Sequence, residues 1–445
     1  MTAPAPKTSS LWQSRPRPQV TTQQITSTWD AVIDRVPQAQ PALLAPLAAQ
    51  PTARSLEFLA PENPSGAQGY DVALVDRASG QCLAFASVLS AEGSEFQKRT
   101  GLSSKALEQA AWLTRVYLSP SAPAGAQAVL LYAALRQARG WGRSMAAFLM
   151  ADDDTPTARR YGLTLLQNVP RLDLAGTGAF RAKAQRLDLM LYQASEEASK
   201  AGQPLEPSFL VAEVLDTINH LFLDKVGQSS FFQAVDAGTL TREQYVYTLT
   251  QLHQFVRYTT RLLGRCVGAS NDTELRTHFI HHLKGEINHE IIIERDLQHL
   301  GEDPTYVKQV AQPNLPTREF MCTQESAIAF YNDPVLMLAA PLAAEGVSGH
   351  LGQLFMDKMN ALVSAWGVKE PQKATHFLGS HIEFDGGDDG HWQGNLTLLA
   401  RYLRTEPQLR GFLALLRVSV DATLRQWDSY VSDVALWSAR PEQAP

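Results

Sequence analysis

The chain has 445 residues, 44% of them hydrophobic, with 39 Lys+Arg against 45 Asp+Glu and a net charge of −6. That length exceeds one typical domain and predicts two, each with a core of its own. Mild acidity without a basic run excludes nucleic acid and anionic membrane as expected partners, and no stretch approaches the ~18 apolar residues of a membrane span.

Residues 1–22 are rich in Pro, Thr and Gln and read as a disordered lead-in. Residues 23–200 read as a mixed α/β domain. A helix is predicted over Ser27–Val36, with Ser27 as its N-cap. Strands follow over Ser55–Leu59, Asp71–Val75 and Gln81–Val88, the last two closed into a hairpin by Asp76–Gly80. The β-prone run Ala111–Leu118 ends at Ser119-Pro120. A Gly/Ala/Pro loop then leads to a helix over Ala126–Arg139, a strand over Met145–Met150, a helix over Thr155–Leu166 and a late strand near Leu187–Tyr192. The polar stretch Glu196–Pro207 closes on two prolines and marks the domain boundary. From Ser208 the apolar period becomes 3.6, with breaks such as Gly268–Asp272 and Gly301–Pro304. Residues 208–438 are therefore predicted to form an all-α bundle of seven to nine helices, with Thr241-Arg-Glu-Gln244 as a capping box. Three scattered cysteines, Cys82, Cys266 and Cys322, fit no disulfide framework, so a reducing cytoplasm is expected.

All eleven histidines lie between His220 and His391, which places imidazole chemistry in the helical half. Glu286 and His289, spaced i, i+3, share one face of a helix predicted to run unbroken from about Asp272 to Leu300. This Glu-x-x-His unit is the one used by carboxylate-bridged di-iron bundles, although alone it is more often a surface coincidence. Glu345 sits in the apolar stretch Leu338–Val347, where a carboxylate is costly unless paired or bound to metal. A salt-bridged core glutamate is the competing explanation. His381 and Asp385 share a face at i, i+4; Asp388 continues that stripe, and His391 follows past Gly386-Gly387 and Gly390. A plain acidic turn is the competing explanation there. Three helices thus offer two Glu, two or three His and one or two Asp, about the set that two irons with bridging carboxylates require. The residues alone specify a metal-dependent redox or hydrolytic site. Arg257 and Arg261 lie one and two turns beyond His253 and are candidates for clamping a substrate carboxylate, against a bland reading as surface charge. His253 itself either lines the substrate pocket or is a satisfied core histidine; with His220 it is also a candidate axial ligand for heme.

The arrangement resembles the heme-oxygenase-like di-iron oxidases and oxygenases over about residues 208–438. The residues that carry the likeness are Glu286 and His289, Glu345, then His381 and Asp385, within Leu283–Glu290 and ahead of Asp296–Gly301. That family's last histidine usually falls three residues after the aspartate, where this chain has Asp388. The resemblance then implies His391 as the sixth ligand, brought in by unwinding at Gly386-Gly387, with Asp388 as its substitute. It further implies two Fe(II)/Fe(III) ions, O2 as co-substrate, and Glu286, Glu345 and Asp385 as the carboxylates at the reacting centre. The implied reactions are N-oxygenation or oxidative C–C cleavage of a small amine- or amino-acid-derived substrate in specialised metabolism.

The order of elements in the first half resembles GNAT-type acyltransferases, in particular acyl-homoserine-lactone and N-acyl-amino-acid synthases, on Leu113–Pro120 and Ala122–Val129. In that family the loop N–H groups and a helix N-terminus cradle a pyrophosphate. Here only Gly125 and the alanines match and the basic residue is missing. The domain either takes acyl groups from a carrier protein or binds without transferring. The expectation is a cytoplasmic two-domain enzyme acting on a small molecule, free or carrier-bound; a homodimer is compatible with it. The rivals are an acyltransferase with an auxiliary helical domain and a heme- or ligand-binding helical module.

Overall fold

The computed structural model describes residues 20–34, 69–90, 109–151, 155–169, 180–386 and 391–435. They form two compact units. One comprises the described residues of Pro16–Thr217 together with Leu403–Arg410; the other comprises those of Ile218–Tyr402 and Gly411–Pro445.

The α/β unit is built on an eight-stranded sheet. Its strands are β1 (Val20–Gln24), β2 (Trp29–Asp34), β3 (Gly69–Asp76), β4 (Cys82–Ser90), β5 (Ala110–Leu118), β6 (Met145–Ala151), β7 (Thr164–Val169) and β8 (Phe180–Arg186), with β8 lying between β6 and β7. All neighbours are antiparallel except β5 and β6. A parallel pair needs a crossover, and α1 (Ala126–Gly140) supplies it. α2 (Thr155–Arg160) follows β6, and α3 (Leu187–Lys200) packs on α1. Pairing of β5 with β6 runs only from Ala110↔Met145 to Leu113↔Phe148, although the strands continue to Leu118 and Ala151. The β4–β5 register shifts at the same point: Val88 faces Leu113 and Ser87 faces Arg115. Thr114 is the extra residue, and a bulge there adds twist that carries the end of β5 away from β6.

Three expectations in this half are corrected. Residues 29–34 form a strand rather than a helix, because Trp29, Ala31 and Ile33 are buried in alternation. The polar cluster before them caps a hairpin: Thr26 Oγ1 accepts from the N–H groups of Thr28 (3.3 Å) and Trp29 (3.0 Å). The helix expected over Thr155–Leu166 stops at Arg160, and residues 164–169 pair with β8. The late strand near Leu187–Tyr192 is the start of a helix, since Leu187, Met190, Leu191, Ala194 and Ala198 are buried at helical spacing. The strand expected at Ser55–Leu59 lies outside the described residues.

α1 is buried along nearly its whole length and carries two arginines inward. Arg139, 1% exposed, pairs with Glu213 at 3.1 Å, with Asp188 at 3.4 Å and with Glu406, which also accepts from Tyr132. Arg136 donates to the Phe209 carbonyl (2.8 Å), to Gln23 (2.7 Å) and to Asp216 (3.1 Å), with its guanidinium 3.9 Å from the Phe209 ring centroid. Burial alone would lower the affinity of Arg139 for its proton; Glu213 and Glu406 more than reverse this and hold it charged.

From Pro207 to residue 435 the described residues contain helices and no β-strand. They are α4 (Pro207–Val226), α5 (Ser230–Asp236), α6 (Arg242–Ala269), α7 (Thr273–Glu286), α8 (His289–His299), α9 (Pro304–Gln309), α10 (Leu315–Ala329), α11 (Pro334–Met337), α12 (Ala339–His350), α13 (Gln353–Ala365), α14 (Pro371–Ala374), α15 (His376–Gly386), α16 (His391–Tyr402) and α17 (Glu406–Ser432). α6 starts with the expected capping box: Gln244 N–H donates to Thr241 Oγ1 at 3.2 Å, and Thr241 N–H to Gln244 Oε1 at 2.9 Å. The single helix expected from Asp272 to Leu300 is two, α7 and α8. No helix among the described residues is long and apolar enough to cross a membrane.

Candidate metal centre

α7 is started by Asp272, whose carboxylate accepts from Leu275 N–H at 2.9 Å, and it turns His282 and Glu286 inward one turn apart. It ends at Glu286 because Asn288 takes the left-handed conformation, with φ 71°. Asparagine tolerates that region where most residues do not. The break restarts the chain as α8 with His289, whose Nδ1 lies 3.1 Å from Glu286 Oε2 without the alignment of a hydrogen bond. Asn288→Ala is expected to cost ~1 kcal/mol in a urea melt and to weaken metal retention, while Asn288→Gly leaves both near the parent values. Equal behaviour of the two variants would mean that the break does not set the position of His289.

α12 contributes Glu345, and α15, packed on α12, contributes His381 and Asp385. One donor atom each from Glu286, His289 and His381 lies within 4.8 Å of the others. His381 Nδ1 faces the Phe377 carbonyl at 2.8 Å; a carbonyl only accepts, so this nitrogen carries the proton and Nε2 the lone pair. Glu345 Oε2 accepts from Asn395 Nδ2 (3.1 Å), and Asn395 Oδ1 faces His278 Nε2 (2.8 Å). Asp385 Oδ2 accepts from Ser348 Oγ at 2.7 Å. His282 Nε2 sits between two helices' carboxylates, 3.1 Å from Glu345 Oε1 and 3.7 Å from Glu286 Oε1.

Burial, and then the charge of Glu345, push Asp385 up to about 8. Burial would also raise Glu286, but the imidazoles of His282 and His289 beside it hold it well below the usual carboxylate range. For His282, burial is outweighed by Glu345 and Glu286, which lift it to about 10. Burial keeps His381 below the ordinary histidine value and so neutral, the form that ligates. Three convergent carboxylates (Glu286 and Asp385 buried, Glu345 half-buried), a neutral imidazole with a free lone pair and an unaligned buried imidazole nitrogen fit a cation. A first-row divalent ion takes such donors at ~2.0–2.2 Å, so the donor set needs only small side-chain shifts.

These residues border a cavity of about 120 Å³, whose lining includes His282, Glu286, Glu345, His381 and Asp385. The rest of the lining is mainly apolar, including Phe255, Phe320, Met337, Phe355 and Trp427, with Thr259, Gln324, Thr423 and Gln426 among the polar points. No lysine or arginine is among its lining residues.

Asp388 and the side chain of His391 lie outside the described residues. His253 is buried, but its Nε2 faces Glu294 at 3.3 Å and it does not line the cavity. Arg257 and Arg261 are exposed, and Arg257 donates to the Lys308 carbonyl at 3.3 Å. The reason is helical phase. α6 lines the cavity with Leu252, Phe255, Val256, Thr259 and Leu263, which leaves 253, 257 and 261 on another stripe. His282, which the sequence reading did not count among the ligands, also borders the site; its spacing of four from Glu286 is the signal that was available.

α15 is anchored through Asp296 of α8, whose Oδ2 accepts from Phe377 N–H at 2.9 Å, while Oδ1 has no hydrogen-bond partner among the described residues. Burial pushes Asp296 from 3.8 up to about 7. Between these values the folded state keeps a proton that the unfolded state has lost, so stability falls as pH rises from about 4 to about 7 and is level above. Asp296→Asn, which keeps the acceptor, is expected to remove that slope. At ~1.4 kcal/mol per pH unit its gain at pH 8 is at most ~4 kcal/mol. Urea midpoints at pH 5 and pH 8 check this; an unchanged slope in the variant refutes it.

No protein-family model matches the chain, and no curated protein matches it. Among solved structures, the chain is similar to a domain of unknown function with a heme oxygenase-like fold from Shewanella denitrificans, at 16% identity and TM-score 0.44, over 53% of this chain and 97% of that one. It is similar to a CADD-like protein of unknown function from Nostoc punctiforme, at 14% identity and TM-score 0.32, over 53% and 92%. A putative acetyltransferase from Sphaerobacter thermophilus is similar at 17% identity and TM-score 0.21, over 38% and 97%.

Proposed function

We propose that the helical unit is a non-heme di-iron, O2-dependent oxidase or oxygenase acting on a small amine-derived substrate with an apolar body. The observation that carries this is the gathering of Glu286, His289 and His381 donor atoms within 4.8 Å, beside a cavity that Glu345 and Asp385 also line. When bound, the iron pair supplies the electrons and the coordination positions for reduction of O2.

The chain's own residues do the rest. Phe377 O fixes the tautomer of His381, while Asn395 and Ser348 each orient one oxygen of Glu345 and Asp385. The apolar wall excludes water from the reacting side. No lysine or arginine lines the cavity, while Glu286, Glu345 and Asp385 do, which favours an amine end over an amino-acid end. Thr259, Gln324, Thr423 and Gln426 are among the groups available to hold it.

For the α/β unit the same proposal assigns binding rather than acyl transfer. The N-terminus of α1, where the GNAT-type family has its anion cradle, is packed by the turn at 201–203: a Cβ on Gly125 would lie 2.8 Å from Ala201 Cβ.

Anaerobic loading with Fe(II), followed by removal of unbound metal, tests the reading. About two irons per chain, a raised melting temperature and O2 uptake stimulated by apolar amines are expected. Iron-loaded wild type that retains no metal overturns it.

A further inference from the structure

We infer that His282 is itself a metal ligand at the second position of the centre, an imidazole drawn from the helical turn ahead of Glu286. This rests on the di-iron reading and adds a residue to it. The donors divide into two sets. Glu286, His289 and His381 make the first. Glu345 and Asp385 remain for the second, and both are oxygen donors. Iron sites of this kind draw on imidazole as well as carboxylate.

His282 supplies that nitrogen. Its ring is 5% exposed, and Nε2 points into the gap between α7 and α12, 3.1 Å from Glu345 Oε1 and 3.7 Å from Glu286 Oε1. Glu345 is oriented for this meeting, because Asn395 holds its other oxygen at 3.1 Å. Asn395 is in turn met by His278 at 2.8 Å, and the His278 ring stands edge-on to His282 at 6.2 Å. Outer partners of this kind fix first-shell ligands in metal sites. Glu286, four residues on along the same face, turns one oxygen toward His282 and the other toward His289, and would be shared by the two donor sets. The competing account is that His282 only neutralises two glutamates as an ion-pair partner, which the same distances allow. Metal stoichiometry separates the two.

His282→Gln, His282→Ala and His391→Ala proteins, alongside wild type, are loaded anaerobically with Fe(II), desalted and assayed for iron by mass spectrometry; Co(II) loading reports the donor set in its visible bands. Expected are about two metals in wild type and about one in both His282 variants, with the Co(II) spectrum changed. Two metals and an unchanged Co(II) spectrum in the His282 variants overturn the inference and leave the di-iron reading standing. Wild type without metal overturns both. Should the His282 variants fail to fold, pulsed EPR on metal-loaded His391→Ala protein decides: three coordinated imidazoles support His282 as a ligand, and two overturn it.

Discussion

Glu286→Ala protein is expected to fold and to lose its metal. Both oxygens of this carboxylate face imidazoles, Oε2 toward His289 at 3.1 Å and Oε1 toward His282 at 3.7 Å, so it is the side chain that joins the two donor sets. Loss of an outer partner costs metal affinity ~10–100-fold; loss of a shared ligand is expected to exceed that, and O2-dependent turnover falls with it. Iron retained after desalting is expected to drop from about two per chain to well below one. The fold survives because the gap opens onto an existing cavity and His282 keeps Glu345 as its partner at 3.1 Å. Two irons retained by the alanine variant would dismantle the proposed centre. Arg257→Ala and Arg261→Ala serve as controls, since both side chains are exposed and neither lines the cavity; iron content and KM should stay as in wild type.

Arg139→Met is the second large effect, and it falls on stability rather than chemistry. The guanidinium is the common partner of Glu213 and Glu406, both 1% exposed, and removing it strands two buried carboxylates. Breaking a buried pair from one side costs ~3–5 kcal/mol, because the remaining carboxylates are left without their countercharge and keep only the Tyr132 hydroxyl. A triple variant, Arg139→Met with Glu213→Gln and Glu406→Gln, is expected to recover most of the loss, since it leaves no net charge behind. Denaturant unfolding of the three proteins decides between these outcomes. A loss under ~1 kcal/mol for the single variant would show that water reaches the cluster.

Much of the helical half was legible in advance because its signals are local. A 3.6-residue period, proline and glycine breaks and one capping box place most helices. Carboxylates in apolar context at helical spacing pick out Glu286, Glu345, His381 and Asp385, which the structure brings to one cavity. What stayed hidden depends on single backbone torsions or on phase. Nothing local announced that Asn288 would turn left-handed, so α7 and α8 read as one rod. Arg257 and Arg261 looked like a clamp because spacing of four says that two residues share a face without saying which face is inward. In the α/β half, residues 29–34 carried both periods, and only pairing with β1 and β3 settles them as a strand.

The α/β unit is discontinuous along the chain: its last piece, Leu403–Arg410, follows everything in the helical unit through Tyr402. Synthesis proceeds from the N-terminus, so the ribosome completes the sheet and α1 long before Glu406 exists. Until then Arg139 has only Glu213 and Asp188, and Tyr132 only Glu213, with the Glu406 carboxylate still missing. Such long-range closure is slow and comes late. The α/β unit therefore reaches full stability only after nearly the whole chain has emerged, and a fragment ending at Thr217 is expected to be weaker than the same unit supplied with residues 403–410.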